Sequence, residues 1–262
     1  MKRPLSEKIR RATWILAQRL TKHPEVNGVP ISDLFIWRNT SSWQTYFELL
    51  DLPNLICDTF TVSSVHLVIF DDLGSLISHH TLQARQDQRL TISISTFLGN
   101  HSGEIGTFCV FHSQTPEPYS SSQSFLTERG YVSYSSDKSP LRSYVHGNFD
   151  AVALLPDYRY QLLGGISLRK RFYNLQYCFK PPSKYDIFIV NPSDRLLEIE
   201  FIHTSPSGLV KSSSINKINS FGLSSFSMNP DFNDYVSIKS SLAMSRPIVF
   251  ASHSANFDVF HG

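Results

Sequence analysis

Residues 185–191 read Tyr185-Asp-Ile-Phe-Ile-Val-Asn191, a run of aromatic and β-branched side chains that ends in a turn-forming asparagine. A short apolar run bounded by turn residues predicts a buried β-strand. An earlier run, Val65-His-Leu-Val-Ile-Phe-Asp71, has the same pattern, and a turn and a two-strand hairpin are expected after each run. These two stretches predict an all-β body made of two similar units.

Other short segments recur in the same order. Tyr131-Val-Ser133 returns as Tyr235-Val-Ser237, and His146-Gly-Asn-Phe-Asp150 returns as His253-Ser-Ala-Asn-Phe-Asp258. Each match is weak by itself, but their shared order indicates a repeat of roughly 75 to 85 residues, which suits a small sandwich of about six or seven strands. The sequence therefore predicts two tandem β-sandwiches, jelly-roll or immunoglobulin-like, that arose by internal duplication. One continuous two-sheet domain is the alternative.

The repeats divide the chain into three segments. Residues 59–157 are expected to form the first sandwich, and residues 158–262 a linker strand and the second sandwich. Residues 1–58 are expected to form a helical, aromatic-rich segment. Within it, apolar residues recur every three or four positions from residue 5 to residue 20, which predicts an amphipathic helix.

A second, shorter helix is expected in the same segment. Trp43, Phe47 and Leu50 are spaced by four and three residues, and Ser41 or Ser42 would cap such a helix. One interpretation has the aromatic side chains of this segment, Trp37, Trp43, Tyr46 and Phe47, stack on a sugar or a base. Aromatic residues at helical spacing are more often part of a core, so we expect them to be buried.

Basic side chains are concentrated at the amino terminus. Residues 1–22 contain seven Lys and Arg and one Glu, a balance of 7 − 1 = +6, which leaves +2 − 6 = −4 for the remainder. Because the positive charge is local, a nucleic-acid-binding surface is not expected. Residues 1–22 offer weak contact with an anionic membrane surface, although packing of this helix on the body or on a second subunit is favoured.

The composition also bears on the environment of the chain. No apolar run approaches the roughly 18 residues of a membrane-spanning helix, so no transmembrane segment is expected. Cys57, Cys109 and Cys178 have neither the spacing of zinc ligands nor the even number of a disulfide framework. We therefore expect buried thiols and a reducing, cytoplasmic location.

The repeated endings supply the candidate binding groups. In a structural interpretation, the Phe of each ending lies in the core while the Asn and Asp shape turns. In a functional interpretation, imidazole and carboxylate groups meet at strand ends, where ligand and metal sites are often built. The candidate ligand-binding residues are His146, Asn148, Asp150, His253, Asn256 and Asp258, and the candidate metal ligands are His146, His253 and His261.

The chain contains none of the common catalytic motifs: glycine-rich phosphate loop, Gly-x-Ser-x-Gly elbow, His-Glu-x-x-His and Cys-x-x-Cys are all missing. Catalytic residues are therefore unknown. The leading hypothesis is a non-catalytic binding or scaffold protein without a cofactor, which recognises a carbohydrate or a protein partner and for which a homo-oligomer is one expected assembly.

Two alternatives remain open. The first is a metal-dependent enzyme with a divalent transition metal at a His/Asp site, and the second is a peripheral membrane protein anchored by the basic amino-terminal helix. A basic run, Arg169-Lys-Arg171, either receives an anionic group between the sandwiches or belongs to a charged edge strand, and the edge strand is favoured.

Overall fold

The described part of the chain is all-β. It holds nineteen strands and a single turn of 3-10 helix at Ile94–Phe97. The helix expected at residues 5–20 lies outside the described residues, as do Cys57 and Cys178. The computed structural model describes residues 29–49, 63–84, 90–113, 127–128, 130–137, 139–175, 177, 179–243, 246–254 and 256–262.

Eleven strands form two sheets in the N-terminal half. Sheet 1 has the order β11-β10-β1-β6-β3-β4, with β7 also paired to β1, and sheet 2 has the order β5-β2-β8-β9. The strands are β1 Ile31–Arg38, β2 Trp43–Leu49, β3 Ser63–Asp71, β4 Leu76–Ala84, β5 Leu90–Ser93, β6 Ile105–His112, β7 Thr127–Glu128, β8 Tyr131–Ser136, β9 Ser139–Val145, β10 Asn148–Leu154 and β11 Tyr160–Leu162.

Eight strands form two further sheets in the C-terminal half. Sheet 3 has the order β12-β17-β14-β15, and sheet 4 has the order β16-β13-β18-β19. The run Arg169-Lys-Arg171 lies on the edge strand β12, as the favoured interpretation predicted. The strands are β12 Ile166–Asn174, β13 Lys184–Val190, β14 Leu197–Thr204, β15 Val210–Ile218, β16 Leu223–Met228, β17 Tyr235–Leu242, β18 Ile248–Ser252 and β19 Phe257–His261.

The prediction of a short helix after Ser42 is wrong, because this segment forms the strand β2. Trp43 and Phe47 are four residues apart, a spacing that fits one face of a helix and one face of a strand equally well. The strand buries Trp43, Thr45 and Phe47 on the same face, which is the period of two. The expectation that the aromatic residues belong to the core is confirmed for Trp37, Trp43 and Phe47, whereas Tyr46 is only half-buried.

The two halves share a pattern of strand pairing. In sheet 4, β13 pairs with β16 and β18, as β1 pairs with β6 and β10 in sheet 1. In sheet 3, β14 pairs with β15 and β17, as β2 pairs with β5 and β8 in sheet 2. By pairing, β13 thus corresponds to β1 and not to β3, the strand that its sequence resembles. The corresponding strand β1 also lies in the segment that the sequence assigned to residues 1–58.

Sheet 4 is buried on both faces. Along β13, Tyr185, Ile187 and Ile189 face a core shared with sheet 3. Phe188 and Val190 face a second core, which they share with sheets 1 and 2. A strand that is covered on both sides is apolar at successive positions, which explains why the run 185–191 does not alternate. The two halves therefore pack through sheet 4 as one body.

A pair of turns closes one side of this contact. Phe221, in the turn before β16, stacks on Phe70 of β3 with ring centroids 4.3 Å apart. The Thr107 hydroxyl donates a hydrogen bond to the Phe221 carbonyl at 2.5 Å. Gly74 packs so tightly here that an added Cβ would lie 2.0 Å from the Ser220 carbonyl oxygen. The turn at Gly74 therefore has no room for a side chain.

Candidate functional site

A cleft opens where the contact between the halves reaches the surface. The residues of β13 that face the N-terminal half are, in order, Val190, Phe188, Asp186 and Lys184, so their polarity increases toward the start of the strand. Residues of β18 follow the same trend, since Phe188 pairs with Ile248 and Lys184 with Ser252. The apolar layer between the halves therefore ends in a polar mouth.

The cleft has a volume of about 460 Å³ and draws residues from both halves. Its charged and titratable members are Arg38, Lys184, Asp186 and His253. The remaining lining residues are small or hydroxyl-bearing, apart from one buried indole and one proline: Ser42, Trp43, Ser136, Pro182, Ser252 and Ser254. The lining thus offers hydroxyl and charged groups beside the Trp43 indole and the Pro182 ring.

Arg38 reaches the base of the cleft from the end of β1. Its backbone is held by Thr45, whose hydroxyl accepts a hydrogen bond from the Arg38 N–H at 2.7 Å and donates one to the Arg38 carbonyl at 2.8 Å. The guanidinium carbon lies 4.8, 5.2 and 5.7 Å from the ring centroids of Trp43, Phe250 and Phe188. The cation is therefore enclosed by aromatic rings from both halves.

Asp186 provides the counter-charge for Arg38. Its Oδ2 lies 3.1 Å from Arg38 Nη1, and its Oδ1 lies 3.4 Å from Lys184 Nζ. The Ser227 hydroxyl donates a further hydrogen bond to Oδ1 at 2.6 Å. Burial acts to raise the pKa of Asp186, but the Ser227 hydrogen bond and the charges of Arg38 and Lys184 outweigh it and lower the pKa. The carboxylate is thus ionised, with a hydrogen bond from Ser227 and ion pairs with Arg38 and Lys184.

His253 also lines the cleft. It begins the β18–β19 hairpin turn, where its N–H donates to the Asn256 carbonyl at 2.9 Å. Ring atom Nδ1 lies 2.5 Å from the hydroxyl oxygen of the buried Ser183, which fixes the plane of the ring. The second ring nitrogen, Nε2, is the one left for a ligand.

The other residues of the second ending have different surroundings. Asn256 is exposed in the hairpin turn, the position that the structural interpretation predicted. Asp258 lies on β19 and accepts a hydrogen bond from the Ser143 hydroxyl of β9 at 2.9 Å. The Val259 N–H also donates to that hydroxyl oxygen at 2.9 Å. Ser143 therefore joins the edges of sheets 2 and 4, and Asp258 takes part in this joint and not in the cleft.

The first ending lies on a strand that is not equivalent to the second. Residues 148–150 open β10, which lies between β1 and β11, whereas Phe257 opens the edge strand β19. The side chains of Asn148 and Asp150 lie outside the described atoms, so their candidate role stays a prediction. The His146 ring packs on Tyr131 with centroids 4.4 Å apart.

The candidate metal ligands fall into two places. His261 lies near His146, and burial, then the charges of Arg246 and His146, lower the pKa of His261 from 6.5 to about 4. His261 pairs with Ile248, whereas His253 follows Ser252 at the other end of the hairpin, so the four residue steps from Ile248 to Ser252 alone separate them by about 13 Å. One ion cannot bind both. Among the residues that the structure describes, no three metal-ligating side chains converge.

A second polar cluster lies in the C-terminal half. His203 Nε2 lies 2.8 Å from Asp234 Oδ2, and Lys211 Nζ lies 2.7 Å from the same oxygen. The Asp231 N–H donates to it at 2.8 Å. His203 and Asp234 are buried, Lys211 reaches them from the surface, and together these groups hold the loop before β17, so the cluster is a structural network.

Sequence reasoning identified His253 but missed Arg38, Lys184 and Asp186. Arg38 ends an otherwise buried strand, and Lys184 and Asp186 alternate with apolar residues at the start of another. That alternation was the available signal, because charges on the inward face of a strand need partners. Which partners they have depends on the packing of two distant strands.

Within the described ranges, no helix has the length and apolar character needed to cross a membrane. Searches against protein-family models and against curated proteins returned no match for this chain.

Proposed function

We propose that this protein is a non-catalytic binding protein that holds a carbohydrate in the cleft between its two halves. The observation that carries the proposal is the lining of the cleft, in which hydroxyl groups and charged donors from both halves surround a volume of about 460 Å³. Sugars present many hydroxyl groups, which exchange hydrogen bonds with serine, histidine and charged side chains. The volume lies within the range of about 300–1,000 Å³ that is usual for small-ligand sites.

Rigidity of the site also supports binding. The Arg38 guanidinium lies among aromatic rings beside the Asp186 carboxylate, Ser227 donates a hydrogen bond to that carboxylate, and Ser183 orients His253. Side chains that are ordered before the ligand arrives lose little conformational entropy on binding. A site of this kind is suited to recognition.

A blocked cleft tests the proposal. Ser254 is exposed at the rim of the cleft, and Ser254→Trp should fill the mouth. Ser207→Trp is the matched control, because Ser207 is an exposed serine in the turn between β14 and β15. We expect at least one of a panel of mono- and oligosaccharides to bind the parent protein and the control, and to lose at least tenfold in affinity for Ser254→Trp, as measured by ligand-observed NMR.

Two results would contradict the proposal. One is that no sugar of the panel binds the parent protein, and the other is that Ser254→Trp binds as well as Ser207→Trp. Elemental analysis of the purified protein addresses the metal-dependent alternative, which would be favoured by a stoichiometric transition metal.

We also infer that the halves arose by internal duplication, as two related sandwiches. The support is that β1 and β2 pair with their neighbouring strands in the same pattern as β13 and β14 do. Superposition of β1, β2, β5, β6, β8 and β10 on β13, β14, β15, β16, β17 and β18 should align their directions and their inward faces. Opposed faces would contradict a common origin.

A further inference from the structure

Two histidines of sheet 1 meet across the neighbouring strands β3 and β4. In this ladder His66 pairs with Thr81 and Val68 pairs with His79, so the side chains of His66, His79 and Thr81 lie on the same face of the sheet. His66 Nδ1 lies 3.1 Å from His79 Nε2 and 3.3 Å from the Thr81 hydroxyl oxygen. Two ring nitrogens and a hydroxyl therefore surround one point on this face.

The two ring nitrogens have nearly the spacing of two ligands on one metal ion. Nitrogens that bind the same tetrahedral zinc ion, each at about 2.0–2.1 Å, lie about 3.3 Å apart. The 3.1 Å between His66 Nδ1 and His79 Nε2 is slightly shorter. Because His79 is exposed, its ring has room for the small outward movement that an ion between the two nitrogens requires.

Both rings are in the protonation state that binds a metal. Burial, and then the charge of His79, lower the pKa of His66 from its ordinary 6.5. Burial, and then the charge of His80, lower the pKa of His79 in the same way. The two imidazoles are therefore neutral at pH 7, so a metal ion does not have to displace a proton from an imidazolium.

Tyr160 supports the tautomer of His79 that metal binding needs. The Tyr160 hydroxyl lies 3.2 Å from His79 Nδ1 and is able to accept the proton of that nitrogen. In this arrangement the lone pair of His79 is on Nε2, the atom that faces His66. A hydrogen-bond partner on the second ring nitrogen is usual for a histidine that binds a metal.

The surroundings leave the site open to solvent on one side. His79 and Thr81 are exposed, whereas His66 is buried. The Tyr158 ring packs edge-on against His66 with centroids 5.8 Å apart and covers another side. Asp157 and Arg159, which flank Tyr158, form an ion pair with each other, so this turn adds no net charge beside the histidines.

We propose that His66 and His79 bind a divalent transition metal ion such as Zn²⁺ on this face of sheet 1. The two imidazole nitrogens are its protein ligands, and water completes the coordination, with one water held by the Thr81 hydroxyl. Imidazole suits zinc, copper and nickel, whereas Mg²⁺ and Ca²⁺ prefer oxygen ligands. The site is independent of the proposed carbohydrate function, because its residues do not line the cleft. With two protein ligands the ion exchanges with solvent and is lost on purification, unlike the metal of an enzyme.

Zinc chloride and magnesium chloride are the probes, added to protein that was first treated with a chelator. Zn²⁺ should shift the imidazole NMR signals of His66 and His79 together, and Mg²⁺ should leave them unchanged. His79→Gln should weaken zinc binding at His66 at least about tenfold, since one of two ligands is lost. His80→Gln is the matched control, because His80 is adjacent on β4 but faces the other side of the sheet, and it should keep the affinity.

Two results would overturn the site. One is that Zn²⁺ leaves the ring signals of His66 and His79 unchanged, which reduces their contact to a hydrogen bond between neutral imidazoles. The other is that His80→Gln weakens zinc binding as much as His79→Gln. Equal denaturation midpoints of the metal-free variants exclude a folding defect, and the ring signals of the parent protein decide the question if a variant does not fold.

Discussion

Replacing Asp186 with Asn should destabilise the whole molecule, because it leaves the Arg38 cation between aromatic rings without a counter-charge. Asn keeps the shape of the side chain and removes the charge. Loss of one partner of a buried ion pair costs about 3–5 kcal/mol, and we expect about 3 kcal/mol here because the rings retain part of the attraction for the guanidinium. At about 2–4 °C per kcal/mol, Tm should fall by roughly 6–12 °C.

A double-mutant cycle separates this ion pair from the shape of the site. Arg38→Met together with Asp186→Leu removes both charges, and such a replacement is often close to neutral, so the double variant should lie within about 1 kcal/mol of the parent. The control is Glu198→Gln, which breaks the ion pair with Lys170, whose two side chains are 43% and 45% exposed. That change should cost less than about 1 kcal/mol.

Urea denaturation provides the assay, with the free energy of unfolding measured for the parent, Asp186→Asn, the control, the double variant and its two single variants, Arg38→Met and Asp186→Leu. A single cooperative transition is expected for each, since sheet 4 joins the halves. The reasoning would be refuted if Asp186→Asn cost no more than Glu198→Gln, or if the effects of the single variants simply added in the double variant.

Two further predictions concern a turn and a histidine. Gly74→Ala should lower the free energy of unfolding, measured in urea, by about 2–4 kcal/mol, because the added Cβ meets the Ser220 carbonyl. Gly208 has the same φ of +87° but open space around it, so Gly208→Ala should lower it by only about 1 kcal/mol. Equal losses would contradict the close packing of the two turns. His261 has a folded pKa of about 4, below its ordinary 6.5, so the folded state takes up fewer protons between these values and the free energy of unfolding should fall as the pH drops from about 6.5 to about 4. His261→Asn should reduce that loss by about 1–2 kcal/mol, a figure lowered for the partial exposure of the ring; an unchanged pH slope would contradict it.

Much of the strand content was predictable from the sequence. Short apolar runs bounded by turn residues placed strands close to β3 and β13. The prediction of a helix at Trp43 was wrong because a spacing of four residues fits the period of a helix and that of a strand. Burial of the aromatic residues was predictable even there, since both structures would have placed them in a core.

Strand pairing was not predictable in the same way. The run 185–191 resembles β3 because both are apolar and buried, but a strand's composition reports its burial and not its neighbours. Pairing makes β1 the counterpart of β13. The two Asn-Phe-Asp endings likewise have the same residues but lie on strands with different pairing partners.

The site was only partly visible in the sequence. His253 was identified because it recurs beside an Asn-Phe-Asp segment, and it does line the cleft. The charges that complete the cleft come from Arg38 on β1 and Lys184 on β13, which meet only when sheet 4 packs on the N-terminal half. No local sequence pattern predicts that contact.

The most direct test of the cleft as the binding site is a backbone amide ¹H–¹⁵N titration with the sugar of the panel that binds the parent protein most tightly. The account predicts saturable shifts at Ser42, Lys184, Ser252 and His253, which belong to different halves and share only the cleft. Shifts confined to one half, or centred on the outer edge at β12, would contradict it, as would a spectrum that the ligand leaves unchanged.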